Sequence, residues 1–177
     1  MDEYDRRIAQ LHEALGIPAG YAEHTGLVLQ REPESLVEVS PARAQRRHHL
    51  EPGAAARWAQ LEVAAERDGI ELKLVSAYRS VDYQAGLVRR KLERGESIET
   101  ILRVNAAPGF SEHHTGRAVD LGVAGCEPLT EAFEDTEAFR WLCAHARDWG
   151  FRMSYPRDNP HGIVYEPWHW AFVPHAD

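Results

Sequence analysis

Two short stretches of the chain concentrate groups that bind cations and move protons. Residues 111–120 read SEHHTGRAVD and residues 165–170 read YEPWHW. His113 and Asp120 each offer a ligand atom to a hard or borderline divalent cation; imidazole suits zinc, and a carboxylate oxygen completes such sites. A catalytic zinc takes three protein ligands and keeps one position for water, so a third is needed, and His169 is the best candidate. Glu166 is then the base that takes a proton from the zinc-activated water, whose pKa falls to about 7. In a plain strand, residues three apart face opposite sides. Pro167 holds Glu166 extended and removes a backbone donor, which points to a bend that lets Glu166 and His169 converge.

The elements that must position these groups follow from the pattern. Gly116 lets the chain turn after the two histidines through a dihedral region closed to other residues. Residues 117–121 then read as a strand that brings Asp120 back toward His113, with the small Ala118 on the same face leaving room for an ion. Tyr4, Ile8, Leu11 and Leu15 fall on one helix face that Gly16 ends. Residues 17–52 lack periodicity and carry four prolines; they read as an irregular connection with a short strand at 26–29 or 36–39. Ala54, Trp58, Leu61 and Ala65 predict a second helix, ELKLVSAY a strand, and Val81, Ala85, Val88 and Leu92 a third helix, followed by a shorter one at 97–104. Phe139, Leu142, Cys143, Ala146 and Trp149 predict a helical stripe with Asp135 or Thr136 at its N-cap. FRMSY, GIVY and WHWAFV read as short strands, with Trp168, Trp170 and Phe172 as core packing. Helices first and strands later imply an α+β domain with helices packed on a central antiparallel sheet. We divide the chain into an N-terminal helix and irregular extension at 1–52 and a core at 53–177.

Composition narrows the function. The 28 acids outnumber the 20 bases, giving a formal charge of −8. The one basic run, at 42–50, is too short to make a nucleic-acid partner expected. No apolar run approaches the roughly 20 residues of a membrane span, and the charged N-terminus is not a secretory signal, so the chain reads as cytoplasmic as written, or as periplasmic or extracellular if a signal was removed. In a reducing compartment Cys126 and Cys143 read as buried free thiols. Of the ten histidines, His48, His49, His161 and His175 read as surface or turn residues, and His114 as lying behind a ligand or at the surface.

The motifs resemble those of the zinc D-alanyl-D-alanine carboxypeptidases, which include the vancomycin-resistance D,D-carboxypeptidases and D,D-dipeptidases and share their core fold with lysostaphin-type peptidases and hedgehog domains. SEHHTGRAVD is similar to their SxHxxGxAxD motif, YEPWHW to their ExWH, and SAYRSVDYQ at 76–84 to the substrate-binding segment that precedes them. The resemblance covers about residues 70–174. It implies one zinc ion on His113, Asp120 and His169, Glu166 as general base, Arg79 facing the oxyanion or substrate, and Ser111, Gln84 and Tyr155 as substrate contacts. Arg79 would stabilise developing negative charge, and Ser111 with Gln84 would donate to a substrate carboxylate. Ser154 stands where the family often has an arginine before the Tyr-Pro. The implied activity is hydrolysis of the terminal D-amino-acid bond, D-Ala-D-Ala or a related L,D bond, of a peptidoglycan-derived peptide. The alternatives are a phage-type L-alanyl-D-glutamate endopeptidase and a non-catalytic zinc-binding module.

Overall fold

Asp2 caps the first helix, α1 (Glu3–Leu15), through a reciprocal pair of hydrogen bonds with Asp5, and Gly16 closes it in the left-handed conformation. The computed structural model describes residues 2–39 and 46–174 of the chain; His175 and part of the basic run, 42–45, lie outside them. A five-residue helix, α2 (Tyr21–Thr25), follows between Gly20 and Gly26. Periodicity could not reveal so short an element. Residues 26–29 form no strand; the short strand is β1 (Val37–Glu38), and it pairs antiparallel with β2 (His49–Leu50), from the stretch read as surface.

The remaining helices match their apolar periods. α3 (Pro52–Arg67) buries Ala54, Trp58, Leu61 and Ala65, with Glu51 at its N-cap. α4 (Val81–Glu93) starts at Ser80, and α5 (Ile98–Val104) at Ser97; each serine accepts from the backbone N–H three residues on. Between α3 and α4 runs β3 (Lys73–Ser76). β4 (Ala118–Gly122) lies entirely buried. α6 (Glu137–His145) is capped by Thr136, and a 3-10 turn (Ala146–Trp149) ends at Gly150. β5 (Phe151–Met153) and β6 (His169–Phe172) complete a four-stranded antiparallel sheet in the order β3-β4-β6-β5.

Two expectations need correction. GIVY is not a strand: Ile163 offers its carbonyl to the Asn159 side chain, and the Val164 N–H bonds the Arg103 carbonyl at the end of α5. Its backbone groups therefore go to a turn and a helix terminus. The cysteines are free but not buried: Cys126 is half-buried and Cys143 exposed. The buried face of α6 centres on Ala138, Trp141 and Leu142. Trp141, whose indole N–H bonds Asp68 at 2.7 Å, rotates that face away from Cys143.

Two apolar clusters form the interior. The first joins α3 and α6 to the sheet through Trp58, Leu61, Val119, Leu121, Phe133, Leu142, Phe151 and Trp170, with Trp168 and Phe172 packed against it. The second joins α1 to α4 and α5 through Ile8, Val81, Val88, Ile101, Phe110 and Tyr155. No described helix is long and apolar enough to cross a membrane.

Gly116 links the 3-10 turn that carries His113 to β4. Its φ is +67°, and an added Cβ would lie 2.8 Å from the backbone nitrogen of Glu51. Gly116→Ala is therefore expected to cost about 2 kcal/mol or more, from the left-handed backbone and the backbone clash together. Denaturant unfolding of the purified variant checks this, and stability equal to the parent would contradict it.

Candidate metal centre

Sheet register brings two of the expected ligands together. Asp120 in β4 stands directly opposite His169 in β6, the closest relation two side chains of neighbouring strands can have. His113 comes from the 3-10 turn Glu112–Thr115, which Gly116 folds back onto β4. The bend expected at Pro167 is a tight turn: the His169 N–H donates to the Glu166 carbonyl at 3.1 Å. That turn brings a Glu166 carboxylate oxygen to 3.8 Å from His169 Nδ1, which a straight strand would forbid.

The hydrogen-bond network fixes both imidazole tautomers. His113 Nδ1 lies 2.6 Å from the carbonyl of Ala77, so it is the N–H. His169 Nε2 lies 2.9 Å from a Glu112 carboxylate oxygen and donates to it. A neutral imidazole has one N–H. In the neutral forms that bind a metal, the lone pairs of His113 Nε2 and His169 Nδ1 are thus aimed at Asp120, 3.2 Å and 3.0 Å away; without a metal, His169 carries a second proton on Nδ1 and donates it to Asp120. One ligand atom from each of the three residues lies within 4.8 Å of the others, and all three residues are buried. Three electron-rich atoms in a low-dielectric interior repel one another unless a cation lies among them. Two imidazoles and one carboxylate are a donor set suited to zinc.

The surrounding charges are shifted to match. Burial would raise Asp120, but the two imidazoles outweigh it and hold its carboxyl well below the usual range. Burial also opposes the charge on Glu112; the bond from His169, aided by the charge of Arg152, nevertheless holds it down to about 2. Burial would lower His169, yet the carboxylates of Asp120 and Glu112 raise it to about 10. Burial, with the charge of Arg79, lowers His113 to about 4. Burial raises Glu166 to about 7, with His169 and Arg79 pulling against Asp120. Glu112 was not among the expected site residues. Its neighbour His113 drew attention, but nothing in the order of residues shows that position 112 meets position 169.

The second histidine of the pair has a structural task. His114 is fully buried, contrary to the surface reading. Its Nδ1–H donates to the Arg79 carbonyl at 2.7 Å, and its Nε2 accepts from the Gly109 N–H at 3.1 Å. The Arg79 N–H in turn donates to the His113 carbonyl at 3.2 Å. The two adjacent histidines thus clamp the backbone of Arg79 while one also faces Asp120. From the other side Glu32 accepts from the Val81 N–H at 2.6 Å and hydrogen-bonds the Tyr78 side chain.

Arg79, Gln84, Ser111, Tyr155 and Glu166 converge with His113 and His169 on a small pocket of about 20 Å³, room for one water-sized group. Two polar atoms in it are buried without a partner: Arg79 Nε and Gln84 Oε1. Gln84 spends one of its two amide hydrogens on the Ala106 carbonyl at 2.9 Å and has an unpartnered Oε1. The Tyr155 ring stands 4.9 Å from that of His169.

The chain is similar to known proteins of one family. Residues 47–175 match the VanY family, described as D-alanyl-D-alanine carboxypeptidase. The chain is 33% identical over 172 residues to YodJ of Bacillus subtilis (strain 168), covering 94% of this chain and 59% of that protein. It is 34% identical over 137 residues to the bifunctional D-Ala-D-Ala dipeptidase and D-Ala-D-Ala carboxypeptidase VanXYC of Enterococcus gallinarum, covering 72% of this chain and 70% of the relative. The solved structure of the LdcB LD-carboxypeptidase superposes with a TM-score of 0.71 at 32% identity, covering 81% of this chain and 70% of that one.

Glu112 orients His169 through its far nitrogen, a contact of the kind whose loss costs 10- to 100-fold in metal affinity. Glu112→Ala is expected to weaken zinc binding by about that factor, and Glu112→Gln, which keeps an acceptor, by less. Competition with a chromogenic chelator reads this directly; parental affinity in the alanine variant would reject the role.

Proposed function

The chain belongs to the D-alanyl-D-alanine carboxypeptidase family of VanY, and from that premise we propose that it is a zinc-dependent carboxypeptidase acting on peptidoglycan-type peptides that end in a D-amino acid. The observation that carries this reading is the convergence of His113 Nε2, Asp120 and His169 Nδ1, with Glu166 at 3.8 Å from the last. The donor set and both tautomers fit zinc, with His113, Asp120 and His169 holding it. When bound, zinc supplies a Lewis acid that polarises a carbonyl and lowers the pKa of water to about 7.

The chain's own groups account for the other needs of peptide hydrolysis. Water adds to the scissile carbonyl carbon, the C–N bond breaks, and one proton travels from that water to the leaving amine. Glu166 is the carrier: a carboxyl raised to about 7 accepts and returns a proton with little cost in either direction. Arg79 keeps a fixed positive charge beside the pocket and has an uncommitted Nε, suited to negative charge on the substrate. Ser111 adds a donor. The open acceptor of Gln84 suits a substrate N–H, alongside the donation to a substrate carboxylate expected of its amide. Tyr155 forms a wall whose ring packs against His169.

The pocket beside the candidate metal centre is small, which favours a short leaving segment over continuing chain. An L-alanyl-D-glutamate endopeptidase needs room for chain on both sides of the bond, and a purely structural zinc site needs neither the raised carboxyl of Glu166 nor the unspent guanidinium of Arg79.

The test separates the base from the ligands. Glu166→Gln is expected to retain one zinc per chain while hydrolysis of a D-Ala-D-Ala peptide falls by about 10²- to 10⁴-fold. His113→Ala is expected to lose the metal, as elemental analysis would show. Full hydrolysis by the Glu166 variant would overturn the assignment.

A further inference from the structure

A groove of about 570 Å³ opens beside the small pocket, and Arg79 lines both. Asp120 lines it too, so the groove is continuous with the candidate metal centre. Arg46, Arg47 and His48, from the segment entering β2, form part of its lining, and Tyr83 adds an aromatic surface. Another wall is the end of β3, the outer strand of the four-stranded sheet. An extended peptide laid beside an edge strand is a recurrent mode of recognition.

The charge of the groove is the reverse of the protein's. The whole chain carries −8, yet among the described residues Asp120, a proposed metal ligand, is the one acid in the groove's lining. Cationic side chains gathered in a concave site focus their field there. Arg47 reaches Glu38, but those side chains are 54% and 42% exposed, and an exposed ion pair exchanges readily for another carboxylate. A peptide whose end is held at the small pocket leads the rest of its chain out past Arg79 and Asp120, which line the groove.

We propose that this groove binds the acyl side of the substrate, and that Arg46 and Arg47 select peptides bearing a carboxylate within a few residues before the scissile bond. The inference rests on the carboxypeptidase reading for the direction of the chain and adds the substrate's charge. Tyr83 and the edge of β3 hold the extended backbone; the arginines read the acid.

The experiment uses zinc-loaded full chain and pairs of peptides ending in D-Ala-D-Ala, identical except for glutamate or glutamine at one acyl-side position. Hydrolysis is followed as kcat/KM, and binding by calorimetry on the Glu166→Gln protein. The glutamate peptide is expected to be favoured about three- to tenfold in both. The advantage shrinks at high salt and disappears in an Arg46→Gln, Arg47→Gln double variant. Arg47→Glu should instead favour a lysine peptide. Equal treatment of the two peptides by the parent, or an undiminished preference in the double variant, overturns the groove. Hydrolysis without preference leaves the carboxypeptidase reading intact and removes only the groove. Arginine-dependent binding without hydrolysis of either peptide does the opposite.

Discussion

Two imidazole lone pairs and a carboxylate are forced to face one another inside a buried space, and the rest of the site follows from that. A buried carboxylate costs several kcal/mol unless compensated, and two bare nitrogens aimed at it add repulsion. Asp120 sits on a central strand buried along its whole length, so water cannot relieve the strain. The arrangement is tolerable only with positive charge at the point of convergence, either a proton on His169 or a metal ion in its place. The imidazoles cannot rotate away, because Ala77 and Glu112 hold their other nitrogens.

That rigidity is assembled from distant parts of the chain. β4 and β6 give Asp120 and His169 by register, and the turn at Gly116 gives His113. Glu112 closes the arrangement by bonding a residue 57 positions away. Around it, His114 and Glu32 fix both ends of the segment that carries Arg79. Residues before position 50 therefore serve the site: Glu32 belongs to a stretch without regular structure, yet its carboxylate holds the start of α4. A site whose supports are backbone bonds of this kind keeps its geometry when substrate arrives.

The charges are distributed with the same economy. An acidic surface surrounds a centre where carboxylates are paired with imidazoles, and Glu166 alone among them is pushed upward. Glu112 and Glu166 flank the same histidine but differ by several pKa units because only Glu112 accepts a strong hydrogen bond from it. Environment thus separates a carboxylate that stays ionised from one able to exchange a proton.

Much was legible in the order of residues, for local reasons. Helix faces, the N-cap at Thr136 and the glycine after two histidines are short-range features, and α1, α3, α4 and β4 appear where their periods predict them. The motif residues His113, Asp120, Glu166 and His169 were also readable, because a ligand must be one of a few residue types and Pro167 announced a bend. Other features depended on the fold. The pairing of β1 with β2, the burial of His114 and the exposure of Cys143 depend on which surfaces meet. GIVY lost its strand character because its backbone found partners on a helix end. The amino-acid sequence by itself determined the kinds of ligand and the helices and strand that carry them. Only the tertiary structure decided which nitrogen of each imidazole faces the carboxylate, and that Glu112 stands behind His169, because those depend on contacts between residues 36 to 57 positions apart, which no local pattern encodes.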